Sequence, residues 1–243
     1  METSILRGFV TFLGGYLICQ QRGDQMDYRK GFWTLTLRNS LMVINSITIA
    51  TLQFYVPLPI IHTVGALGPV FVVILEYFLE SKKITAKQGL GIGISFIGTF
   101  FVSNAHLLTS WIHPGTEFES EFKNYHSEGT WVILICCLIY LFNMAGWAYG
   151  IWLTKKVPSN SFEINVHFGA LLILFNSCIY QGYSEHTKGE VFYWGILWIG
   201  VLLLGAETAF VAGIKMSVNT GMCVMLGLFV IPVSYFFSVV FYS

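Results

Sequence analysis

"GALGPVFVVILEYFLESKKITAKQGLGIGISFIGTFF" spans Gly65 to Phe101. Two continuous apolar runs flank a short basic hinge, Lys82-Lys83-Ile84-Thr85. Neither run alternates apolar with polar residues, so neither reads as a strand of a membrane barrel. Each reads as a helix close to the ~20 residues that cross a bilayer core of ~30 Å. Two residues sit awkwardly in the first run. Pro69 withdraws a backbone hydrogen bond, and an ionised Glu76 costs roughly 2.5–3.5 kcal/mol at mid-bilayer on insertion scales. The second run has a clear start, because Thr85 followed three residues later by Gln88 forms a capping-box pattern.

The rest of the chain shares this character. Hydrophobic residues make up 55% of its 243 residues and charged residues only 11%, against about 25% charged in soluble domains. Mean hydropathy is +0.66, which places the chain among integral membrane proteins. Its 13 basic and 13 acidic residues cancel, and no basic patch points to nucleic acid. All five cysteines lie in apolar stretches without zinc or redox spacing, so they read as packing residues. No HExxH, phosphate-binding glycine loop or usable Ser-His-Asp arrangement is present. The expectation is therefore a protein that is not an enzyme and has no cofactor.

Hydropathy divides the chain into eight segments: 4–20, 36–56, 58–79, 87–104, 131–153, 165–181, 191–212 and 221–241. Arg7 and the apolar run after it resemble a signal peptide, but no small-residue cleavage site follows, so the run reads as a span. The long connection 105–130 carries His106, His113, His126 and four glutamates without metal-ligand spacing, and reads as a solvated acidic loop with no metal. Alternate connections differ in charge. One side holds ten basic residues: Arg22, Arg29, Lys30, Arg38, Lys82, Lys83, Lys87, Lys155, Lys156 and Lys215. The other holds three: Arg7, Lys123 and Lys188. The positive-inside rule puts the first side in the cytoplasm, or in the matrix of a mitochondrion.

The sequence also repeats itself faintly. "LGPVFVVILEYFL" (67–79) and "VIPVSYFFSVVFY" (230–242) both place a Pro-Val pair early in an aromatic-rich span. Pro69 lies in the third segment and Pro232 in the eighth. An offset of five spans inverts the second copy relative to the first, as in many secondary transporters.

That pattern, with Lys83-Ile84-Thr85, Gln88, Gly89, Gly93 and Gly98 following Pro69-Val70, resembles the drug/metabolite transporter superfamily of EamA type. The resemblance is clearest over 36–104. It implies an all-α polytopic fold of about eight transmembrane helices in two inverted repeats, from a family with ten spans. Residues 1–104 would form the first repeat (family spans two to five), 105–130 the non-cytoplasmic loop, and 131–243 the second repeat (spans six to nine). The family's first and last spans have no counterpart on this mapping. Lys82 stands where family members usually carry a glutamate, and Glu80 lies two residues earlier.

The resemblance implies a secondary transporter of small organic solutes or metabolites. The alternative is a non-transporting structural or accessory subunit of a larger membrane complex. Polar residues inside the spans are the candidates for binding solute: Asn45, Glu76, Asn143, Trp147 and Glu207. Trp147 lies one turn from Asn143 and shares its face. The alternative for each is ordinary: an interhelical hydrogen bond for the asparagines, and a lysine partner or the interface for the glutamates. Lys215, two turns after Glu207, is one such partner if the helix bends. Pro69 and Pro232 are candidate kinks or gates. Gly89 and Gly93 form GxxxG and read as a helix-packing site, while His62 and His167 read as interfacial. Membrane lipid surrounds the whole. Other membrane subunits, or a second copy in a homodimer, would cover the faces left by the two missing spans. The segmentation is tested by impermeant maleimide labelling of Ser120→Cys and Ser159→Cys. They are expected to react from opposite faces of the membrane, and labelling from one face would undo the repeat assignment.

Overall fold

A computed structural model describes residues 2–23, 31–56, 58–103, 130–182 and 193–217. Among these residues the secondary structure is helical throughout. The helices are α1 (Glu2–Arg22), α2 (Phe32–Leu52), α3 (Leu58–Gly65), α4 (Gly68–Glu80), α5 (Ala86–Ser103), α6 (Thr130–Thr154), α7 (Ser161–Gly182) and α8 (Tyr193–Met216). Among the described residues three stretches are long and apolar enough to cross a membrane: Thr63–Glu80, Trp131–Thr154 and Ser161–Ile179. Seven of the eight segments expected from hydropathy fall on helices, with shifts of a few residues at their ends. The eighth segment, the acidic loop and Pro232 lie outside the described residues.

Helix α6 shows which solvent the fold is built for. Trp131 and Phe142 are 76% and 84% exposed, with Ile135, Leu138 and Ile139 exposed between them. Tyr140 and Met144 on the opposite face are buried. In water an apolar stripe of this size would need covering; in hydrocarbon it is the expected outer surface. Asn39, Asn165 and Glu76, by contrast, are buried. A chain with its bulky apolar groups outside and its amides and charges inside fits a bilayer.

The described residues fall into two compact units, one drawn from 2–44 and 150–217, the other from 45–103 and 130–149. In the first, α1 lies against α7 in the opposite sense: Gly8 meets Ile173, while Gly15 meets Val166. The approach is closest at Gly169. A Cβ there would come within 2.6 Å of the Phe12 backbone nitrogen and 2.7 Å of the Gly8 carbonyl oxygen. Helix α8 packs on both α1 and α7. Leu35, Val157, Ile164 and Val211 form a small core in this unit.

The second unit is built round α6. Leu52, Val56, Ile61, Tyr140 and Met144 form its buried core, with Phe71 and Trp147 packed against them. Here the expected proline span is two helices. Helix α3 stops at Gly65, a turn occupies Ala66–Leu67, and α4 begins at Gly68 with Pro69 in its first turn. The physical cause is the missing N–H of Pro69, which cannot donate to the carbonyl of Gly65. Tighter bonds bridge the break, from the Leu67 nitrogen to the Val64 oxygen (3.0 Å) and from the Val70 nitrogen to the Leu67 oxygen (3.0 Å). Helix α4 ends at Ser81, which takes the left-handed conformation (φ 54°) and donates its N–H to the Glu76 carbonyl.

The capping box at the start of α5 forms as read: the Thr85 nitrogen donates to Gln88 Oε1 (2.8 Å), and the Gln88 nitrogen to Thr85 Oγ1 (3.3 Å). The expected packing at Gly89 and Gly93 does not appear among the described residues, since a Cβ at either would meet nothing within 4 Å. Close helix contact lies instead at Gly8, Gly15 and Gly169. Gly169→Ala should therefore push α1 and α7 apart and lower stability by about 1–3 kcal/mol, the usual range for overpacking. Gly89→Ala should be neutral or raise it by up to ~1 kcal/mol through helix propensity. Unfolding of the two variants in detergent gives the comparison.

Candidate functional site

Four of the five candidate solute-binding residues belong to the second unit: Asn45, Glu76, Asn143 and Trp147. Asn143 Nδ2 donates to Asn45 Oδ1 at 2.9 Å, which joins α6 to α2 inside this unit. Tyr140, Asn143 and Trp147 fall at i, i+3 and i+7 on α6 and therefore share a face. That face meets the helix break. Gly65 lies beside the Tyr140 hydroxyl, and Gly68 beside the Trp147 ring, each close enough that a Cβ would come within 3.0 Å or less. Glycine at both ends of the turn lets the aromatic rings reach the interrupted backbone. The result is a strip with a phenol, an amide pair and an indole facing a helix break.

Glu76 is buried on the inner stripe of α4, together with Gly68, Pro69, Val72 and Val73. Its Oε1 lies 3.4 Å from Lys82 Nζ, which also contacts Glu80 Oε2 at 2.6 Å. The left-handed turn at Ser81 folds the chain back so that Lys82 can meet both carboxylates. The hydrogen bond to Glu80, with the Glu76 charge adding to it, holds the Lys82 ammonium above the ordinary lysine range. The ordinary reading of Glu76, a lysine partner, is the arrangement observed.

Glu207 belongs to the first unit, and its partner is Arg7 on α1. Lys215, the partner weighed from sequence, turns instead to the connection between α6 and α7. It donates to the carbonyls of Val157 (2.9 Å) and Ser159. Arg7 and Arg38, both counted as flanking cations in the charge asymmetry, lie within helices. Arg38 is buried in α2, where its Nε donates to Thr154 Oγ1 (3.2 Å) and its Nη1 to Asn39 Oδ1 (2.5 Å). Setting both arginines aside leaves nine basic residues against two, so the asymmetry persists.

Sequence reading missed most of this polar interior. Asn39 Nδ2 donates to the Ile164 carbonyl (3.1 Å) and lies 3.1 Å from His167 Nδ1. His167 Nε2 lies 3.4 Å from Thr36 Oγ1. It is a half-buried member of this network. Asn165 Nδ2 donates to Thr208 Oγ1 at 2.7 Å, tying α7 to α8. A second capping box, between Asn160 and Glu163 at the start of α7, was legible from its N-x-x-E spacing. Among the described residues no group of three or more His, Cys, Asp or Glu side chains could hold a metal. The side chain of His62 is outside the described residues.

The Arg7–Glu207 contact is a testable link between α1 and α8. Arg7→Gln or Glu207→Gln alone should cost roughly 1.5–3 kcal/mol, the range for a hydrogen bond to a charged group. The double variant should cost less than the sum of the two. Lys215→Met should show no coupling to Glu207→Gln. Chemical unfolding of the wild type and the five variants in one detergent distinguishes these outcomes.

No family model matches the chain and no curated protein matches it, so the functional reading rests on the residues themselves.

Proposed function

We propose that this chain is a secondary transporter of small organic solutes. On this reading it has about eight spans arranged as two inverted repeats that resemble the EamA-type drug/metabolite transporters. The observation that carries the reading is the broken span at Gly65–Pro69. Transporters build solute sites where a helix is interrupted, because the freed backbone groups and the bend create polar surface at membrane depth. Such an interruption is tolerated only where protein or water covers it. Here the break meets Tyr140 and Trp147, and Asn143, paired with Asn45, shares their face of α6. These groups offer hydrogen bonds in two directions and an aromatic plane, which suits an organic solute better than a bare metal ion.

One observation favours the second reading, a non-transporting subunit. The candidate polar residues Asn45, Asn143, Glu76 and Glu207 all contact partners within the protein. A helix bundle with a purely structural role would satisfy its polar groups in this way. Water access at the break separates the two readings. Ala66 lies in the turn and is 3% exposed, and its replacement by cysteine adds only a thiol. In a background without the native cysteines, Ala66→Cys in sealed vesicles should react with an impermeant maleimide from one side of the membrane. An unreactive thiol in the folded protein would defeat the transport reading and favour the structural one.

A further inference from the structure

Among the described residues, three buried polar atoms of the first unit have no hydrogen-bonding partner: Arg7 Nε, Thr11 Oγ1 and Glu207 Oε2. They belong together. Arg7 and Thr11 lie one turn apart on the same face of α1, and Arg7 contacts Glu207 across the α1–α8 interface. Thr11 is fully buried. A threonine inside a helix commonly donates to the carbonyl four residues earlier, as Thr51, Thr154 and Thr208 do here. Thr11 does not.

The charges around these atoms do not balance. Arg38 is 4% exposed and donates only to the neutral side chains of Asn39 and Thr154. Among the described residues it makes no ion pair, and the carboxylate whose field reaches it is Glu207, which Arg7 already holds. Two guanidinium groups thus share one carboxylate. Lys215 and Glu163, the other charged groups of this interior, act on one another with opposite sign. Among the described residues one positive charge is left over in surroundings of low polarity, where an uncompensated charge is costly.

The vacant hydrogen-bonding positions fit the charge. Arg7 Nε–H and the Thr11 hydroxyl are two donors for the two oxygens of a carboxylate. Glu207 Oε2 is an acceptor, and it asks for a donor on the same ligand. We propose that the place where α1 meets α8 binds a small organic monocarboxylate that carries a hydroxyl beside its carboxylate group. The carboxylate accepts from Arg7 and Thr11, and its charge offsets the excess shared by Arg7 and Arg38. The hydroxyl donates to Glu207. A simple carboxylate leaves Glu207 Oε2 vacant, chloride has no donor to offer it, and a cation adds to the excess charge.

The proposed site belongs to the first unit and the helix break to the second, so its test does not require transport. The protein in phosphatidylcholine nanodiscs is titrated calorimetrically with sodium lactate, sodium propionate and sodium chloride at one ionic strength. Lactate should bind to the wild type, propionate several-fold more weakly, and chloride more weakly than either. Thr11→Val keeps the side-chain shape and removes the donor. It should weaken lactate binding roughly tenfold or more, the factor for one hydrogen bond to a charged group. Arg7→Gln should abolish binding; because that variant can lose its fold, Thr11→Val carries the decision. Lactate that does not bind to the folded wild type would overturn the proposal and leave the three atoms to water. So would chloride that binds as well as lactate, or a Thr11→Val protein that binds lactate normally. Such a failure leaves the labelling result at Ala66 standing, whereas lactate binding beside an unreactive Ala66→Cys refutes transport alone.

Discussion

A polar group that faces hydrocarbon has no water to turn to, so it must be satisfied inside the protein. The described structure depends on that constraint. It explains why Asn39, Asn165 and Glu76 point inward, and why α2, α6, α7 and α8 meet through amides, hydroxyls and charges as well as through Leu and Val. Apolar packing alone distinguishes poorly between helix pairings in a bilayer, because lipid chains are as apolar as leucine. Hydrogen bonds such as Asn143–Asn45 and Asn165–Thr208 specify which helix faces meet. Close approach adds to this where glycine permits it, and the backbone contact at Gly169 is the tightest case.

Features governed by neighbours in the sequence were the ones that could be read in advance. The Thr85–Gln88 box depends on four consecutive residues, and it forms as expected. The interruption at Pro69 follows from a single missing N–H, although its form, two helices joined by a turn, was not specified. Long-range pairs were not legible. Arg7 and Glu207 are 200 residues apart, and nothing local to either names the other. Lys215 looked the better partner because it is near in sequence. Helix α8 instead carries Lys215 to the carbonyls before α7. Arg38 was misread for a related reason: a cation near a span end looks like a flanking charge until the neighbouring helix is known to bury it.

The glycines show the same limit. Gly89 and Gly93 have the spacing of a packing motif within one helix, and no described residue packs against them. Gly8, Gly15 and Gly169 are the close contacts, yet they come from two helices and share no motif. Spacing along one chain records which residues share a face. It does not record whether another helix arrives there.

The amide of Asn39 also decides the proton of His167. Arg38 donates to the Asn39 oxygen, so the amide nitrogen must be the group turned toward the Ile164 carbonyl and the imidazole. That nitrogen only donates, and His167 Nδ1 therefore accepts. The ring proton is left on Nε2, facing Thr36. An arginine two contacts away thus selects one tautomer of a neutral ring. A second proton on Nδ1 would meet the Asn39 N–H head on. Reversing the Asn39 amide to welcome that proton would turn its nitrogen against a guanidinium. Chemistry that used His167 as a base would have to move Arg38 first.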